Sequence, residues 1–377
     1  MINVRTGSQV YQLLQFLSVA GEFSTSSLHL FGNERVLKER VIHRLESVHD
    51  VRCCTSGKLF RTNLVSVSGK RGNRTIRLAK GALPVLREMD ESAHLYYMQE
   101  FGQRNFSGDS QHIDRNHRVA EVMVMCRGAG IAYLQHALPI LNPKIREHRI
   151  LQVPSFYVAK HLKSFGSEEL NKTSYTRCVG QLFYPGGSYA VFNTRNAAMR
   201  WSPAGELKLK PLLSGIARAN AGLGDTSAAL MFGKDIRTAF NAIYANEQRG
   251  RLRDDLDEIY PSIHFVPLNA EGIRLLRILT LPSWNERLLD ALFDDAQRRR
   301  GHGSIEYDAY ANDRFIHSHL SSDIPRLYRL YKALQSSRFE VEVLCFPWQE
   351  PFLREFLGSS VILTPIEMEG IEAALQI

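Results

Sequence analysis

The sequence predicts an α+β protein: a basic three-helix head closed by a hairpin, followed by a mixed α/β region. Three observations lead there. Apolar residues recur at helical spacing through the first fifty or so positions, then give way to β-formers around a cation-rich turn. From Ile150 onward, strand-like and helix-like segments alternate. Positive charge is gathered at one end of the chain rather than spread along it.

The chain has 377 residues, of which 44% are hydrophobic and 23% charged, the composition of a folded protein of two or three domains. No apolar run approaches the ~18 residues that would span a bilayer, and no membrane association is expected. The stretch from Arg5 to Ala20 has the apolar content of a secretion signal, but Gln9, Gln12 and Gln15 interrupt it and its apolar positions follow helical spacing. The five cysteines include no Cys-x-x-Cys pair, so neither a zinc ribbon nor a disulfide framework is indicated. A cytoplasmic location without metal or other cofactor is expected. The net charge is +8. Residues 1–90 hold 14 Lys/Arg against 7 Asp/Glu, a balance of +7, whereas residues 301–377 hold 6 against 11, a balance of −5. A basic module of that size suits a polyanionic partner.

Residues 8–20 read as a helix with Val10, Leu13, Leu14 and Leu17 on one stripe, ended by Gly21. Ser24 or Thr25 caps a short second helix holding Leu28, Leu30 and Phe31, and Gly32-Asn33 makes a turn. A third helix, from about Glu34 to Val48, has Leu37, Val41, Leu45 and Val48 as its buried stripe. Arg35, Lys38, Arg40 and Arg44 fall largely on its other faces. Val51–Cys54 is a short extended run, Thr55-Ser56-Gly57 a turn, and Lys58–Ser68 a run of β-formers. The turn Gly69–Arg74 carries Lys70, Arg71 and Arg74, and Thr75–Leu78 returns as a strand. Three helices, a strand, a basic turn and a strand make the order of a winged helix-turn-helix.

That order assigns tasks. The third helix would enter the major groove of duplex DNA, where Arg and Lys donate to guanine or to phosphates. The wing tip would contact the backbone, supplying affinity rather than sequence information. Winged helices also serve as protein–protein contacts, and that reading stays open.

Lys80–Leu86 opens a further helical region that continues through Glu91–Phe101. A polar linker occupies residues 102–112, and His112–Gly130 forms a long helix. The order of a winged helix, Leu78-Ala79-Lys80-Gly81, a helix start at Asn116-His117-Arg118, and Tyr189-Ala190-Val191-Phe192-Asn193 resembles the replication-relaxation proteins of bacterial plasmids and integrative elements. The resemblance covers roughly residues 1–270. It implies a role with mobile DNA and a mobile-element protein as partner, and it carries over no catalytic residue.

Beyond Ile150 the predicted strands are Leu151–Val158, Arg177–Phe183, Ser188–Asn193, Glu206–Leu209, Ala228–Phe232 and Ile263–Val266. The predicted helices are Pro211–Ala221, Lys234–Gln248, Ala270–Ile278 and Asn285–Arg298. The C-terminal segment reads as helix, strand, helix, strand at Ile324–Gln335, Glu340–Cys345, Glu350–Leu357 and Val361–Thr364. The expected organisation is a winged-helix domain at 1–90, a helical connector at 91–149, a mixed α/β domain at 150–298, and a C-terminal α/β subdomain or sheet extension at 299–377.

Catalytic candidates are few. Glu206-Leu207-Lys208 on a strand matches the Glu-x-Lys of restriction-endonuclease-like nucleases, where Glu holds a metal and Lys assists the attacking water. Such sites need a second carboxylate upstream, yet no Asp or Glu lies between Leu170 and Gly205, and Phe192-Asn193-Thr194 fills the place where one would stand. A degenerate nuclease-like fold is therefore expected in preference to an active nuclease. His317-Ser318-His319 invites comparison with metal-holding histidine pairs of relaxases, but reads as loop residues with a surface or capping role. Asp254-Asp255-Leu256-Asp257-Glu258 reads as a solvated helix face, and no phosphate loop is present. The function expected is duplex DNA binding, by an accessory factor of mobile-element replication or transfer or by a transcriptional regulator. Dimerisation is expected because symmetric sites double the contact area. The alternative is a metal-dependent DNA nuclease using Glu206 and Lys208.

Overall fold

A computed structural model describes residues 1–69, 74–102, 106, 109–141, 154–163, 165, 177–196, 203–244, 256–298, 305–336 and 340–377. The chain is a mixed α+β protein with several small sheets, and it divides into two units, Met1–Ile140 and Leu141–Ile377.

The first unit begins with β1 (Ile2–Val4), then α1 (Gln9–Ala20), capped by Ser8, whose side chain accepts from Tyr11 N. Its buried face holds Leu13, Leu14, Phe16 and Leu17. Gly21 ends the helix at φ +71, and a Cβ there would sit 2.7 Å from the Phe101 ring, so only glycine fits. Then come β2 (Glu22–Ser24), a 3-10 turn, and α2 (Leu28–Phe31). The third helix is a continuous run: α3 (Glu34–Val36), a π-helical segment (Leu37–Ile42), and α4 (His43–Glu46). The π segment shifts the buried stripe to Leu37, Ile42 and Leu45, so Val41 is only half-buried and Val48 is 62% exposed, unlike the stripe expected from a uniform 3.6-residue period.

β3 (His49–Cys53) and β4 (Leu59–Thr62) form a hairpin whose outer partner is β1, parallel to β3. β5 (Val65–Ser68) and β6 (Thr75–Leu78) form a second hairpin, to which β2 adds antiparallel, in the order β2-β6-β5. The long run of β-formers is thus two strands, broken at Asn63-Leu64. Helices α5 (Ala82–Met89), α6 (Glu91–Phe101) and α7 (Ser110–Ala129) complete this unit. α7 is buried all round from Ala120 to Cys126, as a central helix must be.

The second unit holds β7 (Ser155–Val158), α8 (Ala159–Lys163), β8 (Gly180–Tyr184), β9 (Gly187–Arg195), α9 (Pro203–Ala221), β10 (Ala228–Gly233), α10 (Ile236–Tyr244), α11 (Leu256–Ile259) and β11 (Ser262–Pro267). β7, β8 and β9 run antiparallel, and β9, β10 and β11 are parallel, in the order β11-β10-β9-β8-β7. β9 lies in the middle and is buried on both faces, hence its near-continuous apolar run. After α12 (Ala270–Leu279) and α13 (Trp284–Leu292), a four-stranded sheet follows: β12 (Ala309–Ala311), β13 (Arg314–Ser318), β14 (Val341–Cys345) and β15 (Val361–Pro365), joined through α14 (Ile324–Ser336) and α15 (Glu350–Leu357), with α16 (Met368–Leu375) last. β13, β14 and β15 are parallel. The loop after β13 closes the open edge of β11: Phe265 N donates to Ser322 O at 2.9 Å, and His264 bridges to Asp323.

One predicted strand is a helix. Glu206–Leu209 lies inside α9, with Pro211 in the same helix. The alternation Glu-Leu-Lys-Leu mimics a strand, yet Leu207 is 60% exposed and Glu206 fully buried, the reverse of a polar-out, apolar-in pattern.

Candidate nucleic-acid interface

Four polar contacts from α7 hold the three-stranded sheet and α2 in place. Asn116 Nδ2 donates to Glu22 Oε2 at 3.2 Å, and Arg77 Nε donates to Glu22 Oε1 at 2.8 Å, so the buried carboxylate is doubly satisfied. His117 Nε2 meets Thr75 Oγ1 at 3.1 Å, and Ser27 Oγ donates to Glu121 Oε1 at 2.5 Å. Arg127 Nη1 donates to Phe31 O at 3.2 Å while its guanidinium lies 4.2 Å from the Phe31 ring. Asn116 and His117, singled out from the sequence as a helix start, therefore lie inside α7 and anchor β2 and β6.

The 34–46 helical run is fixed from below by Leu37, Ile42 and Leu45 and leaves its outer face open. Arg35, Lys38, Arg40 and Arg44 are all exposed. Arg35 pairs with Glu39 through a 3.2 Å contact, and Arg44 Nη2 donates to the Met1 carbonyl at 2.6 Å, fastening the end of α4 to the chain start. A groove of about 790 Å³ runs between this helix and the β5–β6 hairpin. Lys38, His43, Val67, Arg74 and the Thr25-Ser26 turn line it. Thr25 N donates to Arg74 O at 2.9 Å, so the turn before α2 and the base of the hairpin are tied together. Lys70 and Arg71 lie outside the described residues.

Sequence reasoning missed the acids of this face. Glu34, Glu39 and Glu46 line the same groove as Lys38 and Arg74, so its surface alternates in sign. The alternation is visible in Glu34-Arg35 and Lys38-Glu39-Arg40. Carboxylates in such a groove accept from the cytosine amino group, whereas cations serve guanine and phosphate.

Compared with known protein families, curated proteins and solved structures, the chain matches none.

The remaining candidates are placed as follows. Glu206 and Lys208 stand two residues apart on a helix, about 200° around its axis, so they do not share a face. Glu206 is buried and Lys208 exposed. Glu206 Oε1 accepts from Arg177 N at 3.2 Å, and burial raises its carboxyl to about 7 against the weaker pull of that amide and of Lys163. The buried thiol of Cys178 is pushed up to about 12, first by desolvation and then by Glu206. His317 and His319 are not surface loop residues: they flank Ser318 at the end of β13 and are buried. Burial lowers both imidazoles well below their ordinary value, helped by the Arg326 charge. Asp254 and Asp255 lie outside the described residues. Among the described residues no group of three His, Cys, Asp or Glu side chains converges as metal ligands, and no helix is long and apolar enough to cross a membrane.

Proposed function

We propose that Met1–Ile140 is a winged helix-turn-helix unit that binds duplex DNA, and that the protein acts in mobile-element replication or transfer or as a transcriptional regulator. One observation carries this reading: the 34–46 helical run leaves Arg35, Lys38, Arg40 and Arg44 exposed around its surface, with Lys38 and Arg74 lining a groove beside the antiparallel β5–β6 hairpin, and the sequence between those strands includes Lys70 and Arg71. Support comes from the element order, helix, strand, two helices and two strands, with the first strand added to the hairpin as β2-β6-β5. The inserted β3–β4 hairpin lies between the helix and the wing. The resemblance to replication-relaxation proteins favours a mobile-element role over a promoter-bound one. The nuclease alternative is not favoured, because Glu206 and Lys208 lie on different faces of helix α9 rather than on a strand.

The test is fluorescence anisotropy of a labelled duplex with the whole chain. Changing Lys38, Arg44, Lys70 and Arg71 to Ala together should abolish binding at physiological salt, since each lost phosphate contact removes about 0.9 from the salt slope. Undiminished affinity in that variant would remove the winged-helix reading.

A further inference from the structure

The second unit contains a cleft of about 520 Å³, well within the range of small-molecule sites. Three half-buried aromatic side chains, Tyr184, Trp284 and Tyr307, form its walls. They are held rather than loose. Tyr184 stacks on the buried Tyr189 ring with centroids 4.8 Å apart and planes 12° apart. Tyr189 donates its hydroxyl to Leu279 O at 2.9 Å. Trp284 stands edge-on to His264 at 5.3 Å. Two non-glycine residues with positive φ, Ser283 (φ 49) and Ser322 (φ 56), immediately precede Trp284 and Asp323 and set the course of the walls.

The cleft also presents buried acceptors. His264 Nδ1 lies 2.9 Å from Ser321 O, so Nδ1 carries the proton and Nε2 keeps a lone pair. Asp323 Oδ1 accepts from Ile263 N at 3.4 Å and Arg326 N at 3.3 Å, and its Oδ2 has no hydrogen-bond partner among the described residues. Both residues are about 5% exposed or less and both line the cleft. Neither His264 Nε2 nor Asp323 Oδ2 is shut away from the cleft, so each can accept from a donor that enters it. The cations of the cleft are matched: Arg326 by Glu306 and Asp308, Arg298 by Glu286 and Asp290, and Arg329 by Glu306. A bare anion therefore finds little beyond the Nη groups of Arg329, whereas a flat ring with an N–H edge finds stacking walls and two acceptors.

We propose that this cleft binds a nucleobase, carried by a free nucleoside or nucleotide, with Tyr184 and Trp284 against the ring and Asp323 and His264 accepting from its donor edge. Guanine is the base that fits best, because its N1–H and N2 amino group lie side by side on one edge. Uracil and thymine present a single N–H between two carbonyl oxygens, which would face the two acceptors. Arg329 engages Glu306 through Nε, which leaves its Nη groups for a 5′-phosphate.

Isothermal titration of the whole chain with guanosine, GMP, adenosine and uridine tests this, with tryptophan fluorescence as a second readout. Guanosine or GMP should bind and quench Trp284 emission, and uridine should bind at least about tenfold more weakly. Tyr184→Ser should weaken guanosine binding about fivefold or more through lost stacking. Asp323→Asn should weaken guanosine more than adenosine, and Tyr184→Ser, which sits at a turn, keeps the test valid if the Asp323 variant folds poorly. Tighter binding of GMP than of guanosine, erased by Arg329→Gln, identifies a nucleotide; equal binding identifies a nucleoside. No heat and no quench with either guanine compound, equal binding of uridine, or guanosine affinity unchanged in Tyr184→Ser would each overturn the proposal.

Discussion

Replacing Glu206 by Gln tests the buried chemistry of the second unit. Glu206 is fully buried at the start of α9, with Oε1 accepting from Arg177 N and Oε2 without a hydrogen bond. Its carboxyl is raised from 4.5 to about 7, mainly by burial. A group whose folded value exceeds its unfolded value holds its proton more tightly in the native state. The stability this contributes is complete below about pH 4.5 and is lost as pH rises through about 7. A shift of about 2.5 units, at about 1.4 kcal/mol per unit, corresponds to a loss of about 3 kcal/mol between pH 4.5 and 8. Glutamine keeps the shape and the contact with Arg177 N but does not titrate. Trp201, Trp284 and Trp348 all belong to the second unit, so urea unfolding followed by tryptophan fluorescence reports that unit alone. Wild type and variant should have similar stability near pH 4.5, and the wild type should be about 3 kcal/mol less stable near pH 8. Every other titrating group is common to both proteins and cancels. A gap that stays below about 1 kcal/mol across that range would refute the burial argument.

Further predictions concern packing and protonation. His264, His317 and His319 are buried with imidazoles held below 6.5, so the unfolded chain takes up protons that the folded chain refuses. Stability should be fully present above about pH 6.5 and fall below it by up to about 1.4 kcal/mol per pH unit for each histidine, and His319→Asn should flatten that fall measurably in the same urea assay. Glu22→Ala removes the partner of Arg77 and Asn116 and should destabilise the first unit by about 3–5 kcal/mol, seen as a lowered midpoint in circular dichroism. Gly21→Ala forces a side chain onto φ +71 and against the Phe101 ring, and should cost more than about 1 kcal/mol by the same measurement. Wild-type stability in either variant would contradict the packing described for that residue.

Local pattern carried much of the secondary structure. Of the expected stripe Val10, Leu13, Leu14 and Leu17, the last three are buried on α1 and Val10 is half-buried, and the strand Thr75–Leu78 was read with its bounds as β6. In the C-terminal segment α14, β14, α15 and β15 were likewise marked by pattern, whereas β12, β13 and α16 were not, and His317-Ser318 of β13 read as loop. What escaped depended on partners far along the chain. β1 is three residues long and exists through its parallel pairing with β3, about fifty positions away. The π-helical segment exchanged Val41 for Ile42 in the core, an offset that a regular helical period does not contain. Glu206-Leu207-Lys208-Leu209 alternates like a strand, but Leu209, Leu213, Ile216 and Ala217 bury at helical spacing, and that longer stripe decides. The exposure of the four cations of the 34–46 run was legible from the buried stripe; the acids Glu34, Glu39 and Glu46 that share the groove with Lys38 follow from how the run packs beside the hairpin, which local charge does not encode. The cleft of the second unit is assembled from the end of β8 at Tyr184, the start of α13 at Trp284, and residues 307 and 323, a convergence no local motif encodes.

The most direct test of the central claim is the salt dependence of duplex affinity for the whole chain, comparing wild type with Arg40→Ala. If the open face of the 34–46 run meets phosphates, the logarithm of the binding constant falls linearly with the logarithm of salt between about 50 and 200 mM, and the variant's slope is smaller by about 0.9. A binding constant indifferent to salt, or a slope unchanged by the substitution, would contradict it.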